Sequence, residues 1–344
     1  TLERAIPTVV LLIDQSGSMS ESFGNGMNRL EGAYDVLMDP VDGLIVELQS
    51  SFRIGLALYT SYWRDNTCPE LADVRPALNN YEPINRVLSL AEPAGETPTG
   101  ESIQGVMRMF QEHPDQGRKL LLLATDGEPD TCAEPNPQNG QPESIAAAQA
   151  AYLEGVETVI LSVGNEVGRS HLQDMANAGT GLPVGGAQNA PFFEATDSMS
   201  LKQQMRGIIQ TAQQCIFRIS GAVVDPGLLG FATVTVDQQV LTYNDPNGWV
   251  YHQDRKRCHG ARQCIELVGT ACERLQDGMS HNVTGDFICV YYDPETSGGA
   301  DSGGDGTGDG GGDGGDGTGS GGGSGGPGMC VSASGNCAYD GDCC

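Results

Sequence analysis

A carboxylate and two hydroxyls stand at alternate positions directly after an apolar run. Asp14, Ser16 and Ser18 follow Val9–Ile13, whose continuous apolar character is typical of a strand buried on both faces of a sheet. In open α/β sheets, ligands bind beyond the carboxyl ends of the strands. Three oxygen-bearing side chains at alternate positions can face one point there. Taken alone, the same residues would also suit a polar loop that caps the next helix.

Two later segments offer side chains of the same kind. Thr97 lies just before a helical pattern, and Asp126 follows a second apolar run, Lys119–Thr125. Asp126 is therefore also expected at the carboxyl edge of the sheet. All five side chains offer oxygen, which favours a hard cation such as Mg²⁺ over zinc or copper.

The three segments, in this order, resemble the von Willebrand factor type A domain, also called the integrin inserted domain. The metal-ion-dependent adhesion site of that family reads D-x-S-x-S, then a threonine, then an aspartate after a strand. The matching residues here are Asp14, Ser16, Ser18, Thr97 and Asp126. Thr97 is preferred to Thr99 because the family's ligand is the first threonine of T-x-T. The resemblance covers about residues 6–214.

The resemblance implies a bound Mg²⁺, with Mn²⁺ or Ca²⁺ as alternatives. In the family, the hydroxyls bind the metal directly and the carboxylates mostly hold it through water. One open position can then accept a carboxylate from a protein partner. The ion thus lets a strongly acidic protein recognise an acidic group, because it inverts the local charge.

The elements that must position these residues alternate between strand and helix. Further strands are predicted at Phe52–Tyr59 and Val156–Val163, and the helical patterns fall at Asn28–Gln49, Glu101–Glu112, Pro142–Glu154, Ser170–Ala178 and Ser198–Gln214. Pro40 and Gly43 should kink or split the first helix. Ser198 is expected to be the N-cap of the last. The alternation predicts an α/β fold with a doubly wound, mostly parallel sheet, Rossmann-like in form, over residues 1–214.

The pattern changes at Cys215. Residues 215–296 alternate without helical length and predict a small, β-rich, disulfide-tied domain. Residues 297–328 predict a flexible linker rich in Gly and Asp, with a weak calcium coil as the alternative. Residues 329–344 form a Cys-rich tail whose spacing resembles the first half of a cystine knot. A truncated knot and a Cys-rich end without a set fold both remain open.

The charge of the chain excludes several classes of protein. Eighteen basic and forty-five acidic residues give a formal net charge of −27. A nucleic-acid binder needs a basic surface, so no nucleic-acid partner is expected. No apolar stretch approaches the ~20 residues that span a bilayer, so no transmembrane segment is predicted.

Eleven cysteines, most of them after Cys215, indicate disulfides and an oxidising compartment. Cys68 and Cys132 both follow predicted strands, so a bridge between them could brace the edge that bears the metal. Cys215 and Cys289 flank the β-rich domain and are expected to close it. We therefore expect a secreted or cell-surface protein, extracellular or periplasmic, whose signal peptide has already been removed.

The resemblance to the type A family, together with the Gly/Asp-rich linker, implies a bacterial-type multidomain surface protein that acts in metal-dependent adhesion or protein recognition. One alternative is a structural or tip subunit of a surface filament, in which the metal supports self-assembly. A second alternative is an accessory subunit of an enzyme complex, which the cysteines disfavour. An enzyme is not expected, because Ser16 has no histidine base at a recognisable spacing.

Overall fold

The computed structural model of the protein describes residues 2–62, 67–111, 117–135, 137–220, 223–255, 257–258, 261–276 and 281–290. The predicted linker and Cys-rich tail lie outside these residues. The described chain forms two compact units. The larger unit holds Arg4–Ile216 and the segment that begins at Cys272, and the smaller holds Phe217–Ala271, the segment from His281 and the N-terminal residues before Arg4.

The strands, in chain order, are β1 (Leu2–Arg4), β2 (Thr8–Asp14), β3 (Ser22–Gly24), β4 (Met27–Asn28), β5 (Arg53–Thr60), β6 (Glu70–Ala77), β7 (Lys119–Thr125), β8 (Val156–Val163), β9 (Phe193–Ala195), β10 (Ile216–Ile219), β11 (Val223–Val224), β12 (Thr233–Val236), β13 (Gln239–Leu241), β14 (Trp249–His252), β15 (Cys264–Leu267), β16 (Val283–Asp286) and β17 (Cys289–Val290). The α-helices are α1 (Arg29–Met38), α2 (Leu44–Leu48), α3 (Tyr81–Leu88), α4 (Thr99–Val106), α5 (Gln141–Leu153), α6 (Arg169–Thr180), α7 (Ser198–Thr211) and α8 (Thr270–Leu275).

The larger unit is built on a six-stranded sheet in the order β6-β5-β2-β7-β8-β9. Each pair from β5 to β9 is parallel, and β6 joins the edge antiparallel to β5. Apolar runs form these strands because both faces of the sheet are covered, so every residue of β2 is buried. The prediction of a doubly wound, mostly parallel α/β sheet is confirmed.

Alternate residues of β2 face the two cores of this unit. Val9, Leu11 and Ile13 pack in a cluster with side chains of α1, α2 and α7. Val10 and Leu12 pack in the second cluster with α4, α5 and α6. Helices therefore lie on both faces, which leaves the carboxyl edge of the sheet free for loops.

The central strand β2 lies at the point where the chain winds to either side. After β2 the chain adds β5 on one side, and β7 lies on the other side. Ile13 pairs with Ala124, so Asp14 lies level with Thr125 and Asp126 comes one residue further along. Asp14 and Asp126 thus leave neighbouring strands at the switch point, where ligand sites of such sheets form.

The helix predicted over Asn28–Gln49 is split, as Pro40 and Gly43 indicate, into α1 and α2. The N-cap prediction for α7 is wrong by one residue. Asp197 caps this helix, because its carboxylate accepts from the backbone N–H of Ser200 in a capping box. Ser198 is instead the first helical residue.

Several elements of the larger unit were not predicted, among them the short edge strand β9. The hairpin of β3 and β4 occupies part of the segment that precedes α1. The edge strand β6 is mostly half-buried or exposed and contains Arg75 and Pro76, so its sequence lacks an apolar run. Helix α3 has Pro83 at its third position, which a first helical turn tolerates.

The smaller unit holds short β-sheets, as the sequence predicts. A four-stranded sheet has the order β1-β10-β15-β14, a three-stranded sheet has the order β13-β12-β16, and β11 pairs with β17. Trp249 is fully buried and contacts Tyr243 and Phe287 with ring centroids 4.7 Å and 6.0 Å away. A disulfide joins Cys258 and Cys264.

The predicted closure of the β-rich domain by Cys215 and Cys289 is wrong, because Cys215 is bonded to Cys272. Cys272 lies on α8, and just beyond that helix the side chain of Gln276 donates to the carbonyl of Gln213 at 2.9 Å. The segment after Cys272 therefore belongs to the larger unit, whereas Cys289 lies on β17 and pairs with Val224. Among the described residues, no helix is both long and apolar enough to cross a bilayer.

Candidate metal centre

Asp14 ends β2 with its side chain fully buried. Its Oδ1 accepts from the backbone N–H of Ser16 at 2.7 Å. Its Oδ2 accepts from the hydroxyl of Thr125 at 2.7 Å and from that of Tyr59 at 3.3 Å. Strands on both sides of β2 thus fix the orientation of this carboxylate.

The two serines connect the first segment to Asp126. The Oγ atoms of Ser16 and Ser18 lie 3.0 Å apart. The hydroxyl of Ser18 donates to Oδ1 of Asp126 at 2.7 Å, and both Asp14 and Asp126 have no exposed surface. A short 3₁₀-helix, Gly17–Ser20, turns the chain so that the hydroxyls face the end of β7.

Backbone hydrogen bonds bring the segment of Thr97 to the same edge. Gln15 accepts from the N–H of Ala94 at 2.8 Å, and Gly17 donates to the carbonyl of Gly95 at 3.0 Å. Gly95 has a φ of 78°, and a Cβ there would collide with the carbonyl oxygen of Ser61. Only glycine therefore suits this crossing point.

The hydroxyls of Thr97 and Ser18 both border the same point beside Gly127. Both Oγ atoms are within 3.5 Å of the position that a Cβ on Gly127 would take. Thr99 differs, because its hydroxyl lies 3.3 Å from that of Tyr59, beneath the site. The five residues from the three segments therefore meet at the carboxyl ends of β2 and β7.

Burial dominates the electrostatics of the site. Desolvation, followed by repulsion from Asp126, raises the pKa of Asp14 to about 7, against the hydrogen bonds from Ser16 and Thr125. Desolvation also raises the pKa of Asp126, which hydrogen bonds from Ser18 and Arg29 oppose. Two buried carboxylates so placed favour a nearby positive charge.

The chemistry of the donor set fits a hard cation. Two carboxylates and three hydroxyls supply only oxygen, which Mg²⁺ and Ca²⁺ prefer. The part of the chain that the structure describes contains no group of three or more His, Cys, Asp or Glu residues placed to hold a metal. A cation at this edge would therefore depend on the hydroxyls of Ser16, Ser18 and Thr97 as well as on the two carboxylates.

The predicted disulfide between Cys68 and Cys132 is confirmed. It links the loop after β5 to the loop after β7, and both loops leave the carboxyl edge of the sheet. The hydroxyl of Tyr62 donates to the carbonyl of Cys132 at 2.6 Å, and the N–H of Cys132 donates to Glu101 at 2.8 Å. These contacts brace the rim beside the five residues.

Sequence reasoning missed three side chains at the site: Tyr59, Thr125 and Arg29. Tyr59 and Thr125 support Asp14, whereas Nη1 of Arg29 lies 2.7 Å from Oδ2 of Asp126. Thr125 precedes Asp126 and could have been found from that position. Arg29 gave a weaker signal, because only the Asn28–Glu31 capping box marks it as the start of a helix.

The larger unit is thus an open α/β sheet of the doubly wound class, with oxygen donors gathered at its switch point. The family model of the von Willebrand factor type A domain matches residues 8–207. The chain belongs to this family. None of the curated proteins matches the chain significantly.

Several solved structures are similar in fold. The conserved hypothetical protein BatB from Bacteroides thetaiotaomicron is 20% identical, with a TM-score of 0.44 over 60% of this chain and 98% of its own. The pilus adhesin SpaC from Lactobacillus rhamnosus GG is 15% identical, with a TM-score of 0.48 over 77% of this chain and 38% of its own. Proximal thread matrix protein 1 from the mussel byssus is 17% identical, with a TM-score of 0.39 over 65% of this chain and 52% of its own. That structure is described with zinc in its metal-ion-dependent adhesion site (MIDAS) motif.

Proposed function

We propose that the larger unit binds a divalent cation, Mg²⁺ first, through the hydroxyls of Ser16, Ser18 and Thr97, with Asp14 and Asp126 as carboxylate supports. The observation that carries this proposal is the hydrogen-bonded chain from Ser16 through Ser18 to Asp126 beside the buried Asp14. When bound, the cation supplies a positive centre at the surface of an acidic protein. The three hydroxyls would hold the cation without adding negative charge, so the ion would keep most of its positive charge.

We further propose that the cation accepts a carboxylate from a protein partner, so that the domain acts in adhesion at a cell surface or outside the cell. A net charge of −27 would otherwise repel an acidic partner, and the ion reverses the sign locally. Three disulfides in the described chain agree with an extracellular or periplasmic site of action. We propose binding rather than catalysis, since Ser18 donates to a carboxylate and not to a histidine base.

Calorimetric titration of the metal-free protein with Mg²⁺ tests the proposal. The wild-type chain should bind one equivalent, and Asp14→Asn should weaken binding about 10- to 100-fold while the circular dichroism spectrum stays unchanged. Asp35→Asn, on the exposed face of α1, is the matched control and should bind as the wild type does. Absence of Mg²⁺ and Mn²⁺ uptake by the wild-type chain would refute the proposal.

A pull-down from the native surroundings, in Mg²⁺ and in EDTA, tests the adhesive role. Partners should be retained only with Mg²⁺ and lost in Asp14→Asn. Sedimentation velocity of the protein alone, with and without Mg²⁺, separates adhesion from self-assembly. A concentration-dependent oligomer that forms only with Mg²⁺ would replace adhesion with a structural role.

A further inference from the structure

Arg29, the first residue of α1, places a buried guanidinium against the candidate metal centre. Its side chain is only 5% exposed. Nη1 lies 2.7 Å from Oδ2 of Asp126, and Nη2 lies 2.6 Å from Glu166 and 3.1 Å from Glu21. A capping box between Asn28 and Glu31 fixes the start of α1, so the guanidinium enters the site from a rigid element.

The ion pair makes the two site carboxylates unequal. Both oxygens of Asp126 are engaged, because Oδ1 accepts from Ser18 and Oδ2 accepts from Arg29. Within the described part of the chain, the donors to Asp14 are neutral, among them the N–H of Ser16 and the hydroxyls of Thr125 and Tyr59. A cation could reach Oδ2 of Asp126 directly only by breaking a buried ion pair, which is costly.

The loop after β8 is shaped around the same guanidinium. Gly164 has a φ of 100°, and a Cβ there would lie 2.7 Å from Nη2 of Arg29 and 2.5 Å from Oε2 of Glu166. Contacts this short do not occur in real structures, so a side chain at Gly164 would displace the ion pair. The absence of a side chain at Gly164, in the loop after β8, therefore leaves room for the guanidinium of Arg29.

We propose that Arg29 is a positioning residue that keeps Oδ2 of Asp126 from binding the cation directly, while Ser18 occupies Oδ1, and so keeps the ion available to a carboxylate from outside. This inference rests on the proposed metal site. The number of negative ligands sets how tightly a hard cation is held. By pairing with Asp126, Arg29 lowers the negative charge that the ion meets, so the ion keeps more charge for a partner.

The direction of the expected effect separates this role from a structural one. Removing a residue that hydrogen-bonds to a metal ligand usually weakens metal binding, because the ligand loses its orientation. A guanidinium acts in the opposite sense, since it competes with the metal for the same oxygen and repels the metal's charge. Arg29→Gln should therefore bind Mn²⁺ about tenfold more tightly than the wild-type chain, whereas a merely structural defect would weaken binding.

The experiment uses the full chain, with Mn²⁺ as the metal and acetate as the carboxylate probe. Water proton relaxation counts the water molecules on bound Mn²⁺, and an acetate titration reports how readily one of them is replaced. Arg29→Gln should lose one water and bind acetate more weakly while it binds Mn²⁺ more tightly. Arg29→Lys, which keeps the charge, should stay close to the wild type in all three readings.

Arg118→Gln is the matched control, because Arg118 also pairs with a glutamate, Glu157, but precedes β7 at the opposite end of that strand from Asp126. It should leave all three readings unchanged. Should Arg29→Gln fail to fold, Glu166→Gln tests the same idea. That variant removes an outer carboxylate and keeps the pair with Asp126, so Mn²⁺ affinity should fall a few-fold with the water count unchanged.

The outcomes distinguish the two proposals. If the wild-type chain takes up no Mn²⁺, the metal site itself is refuted. If the wild-type chain binds Mn²⁺ but Arg29→Gln binds it equally or more weakly with the same water count, only the role of Arg29 is overturned. In the Glu166→Gln test, a rise in Mn²⁺ affinity or a lost water would overturn that role in the same way.

Discussion

At the scale of single residues, burial and hydrogen bonding give Asp14 its character. The carboxylate is fully buried. Its two oxygens accept hydrogen bonds from a residue of β5, a residue of β7 and a residue of the loop that follows β2. These bonds favour the charged form, but desolvation and the neighbouring Asp126 outweigh them and raise the pKa of Asp14 to about 7. A bound divalent cation would reverse this balance, because it favours the deprotonated carboxylate.

This raised pKa predicts how stability depends on pH without metal. A carboxyl whose folded pKa of about 7 exceeds its ordinary value of 3.8 stabilises the fold most at low pH. That contribution is lost as pH rises through the window between the two values. In EDTA, the free energy of unfolding of the wild-type chain relative to Asp14→Asn should therefore fall between pH 4 and pH 7.

Urea denaturation at several pH values measures this difference, and the Asp14→Asn reference removes the effect of titrating groups that do not interact with Asp14. The same proton linkage predicts that Mg²⁺ affinity weakens about tenfold per pH unit below pH 7. A difference between the two chains that rises with pH, or does not change, would show that Asp14 ionises normally.

At the scale of elements, the Cys68–Cys132 bridge joins two loops that leave the metal-bearing edge. It closes a loop with a sequence separation of 64 residues, so its removal should destabilise the larger unit by up to about 4 kcal/mol. The double variant Cys68→Ser/Cys132→Ser should lower the urea midpoint of that unit. It should also weaken Mg²⁺ binding, because Cys132 and the neighbouring Glu101 are held at the rim.

The control for this prediction is the Cys258→Ser/Cys264→Ser variant. That bridge spans only six residues and lies in the smaller unit, so its loss should leave the larger unit and Mg²⁺ affinity unchanged. Equal loss of Mg²⁺ affinity in both double variants would contradict a local role for the rim bridge.

The elements also show which parts of the fold can be predicted from sequence. Strands β7 and β8 match their predicted bounds, because a strand buried on both faces needs a continuous apolar run. The edge strand β6 lacks such a run, since water reaches part of it. Asp14 and Asp126 were predictable because each directly follows an apolar run, at the carboxyl end of a buried strand. Arg29 was not, because its pairing with Asp126 depends on tertiary packing across 97 residues of sequence.

At the scale of the whole molecule, the cysteines define the extent of the two units and the charge bears on which partners the chain attracts. The sequence suggested a boundary at Cys215. Cys215 is bonded to Cys272, and the segment that begins at Cys272 belongs to the larger unit. Spacing alone could not reveal this, because many pairings of eleven cysteines are equally compatible with the sequence. The net charge of −27 makes attraction to an acidic partner depend on the proposed cation.

The central claim is that residues from three distant segments hold one divalent cation at the end of β2. Crystals of the full chain grown with Mn²⁺, with diffraction recorded at the manganese absorption edge, test it most directly. We expect one strong anomalous peak within about 2–2.5 Å of the hydroxyl oxygens of Ser16, Ser18 and Thr97. An empty map at this position, with these hydroxyls turned away from each other, would contradict the account.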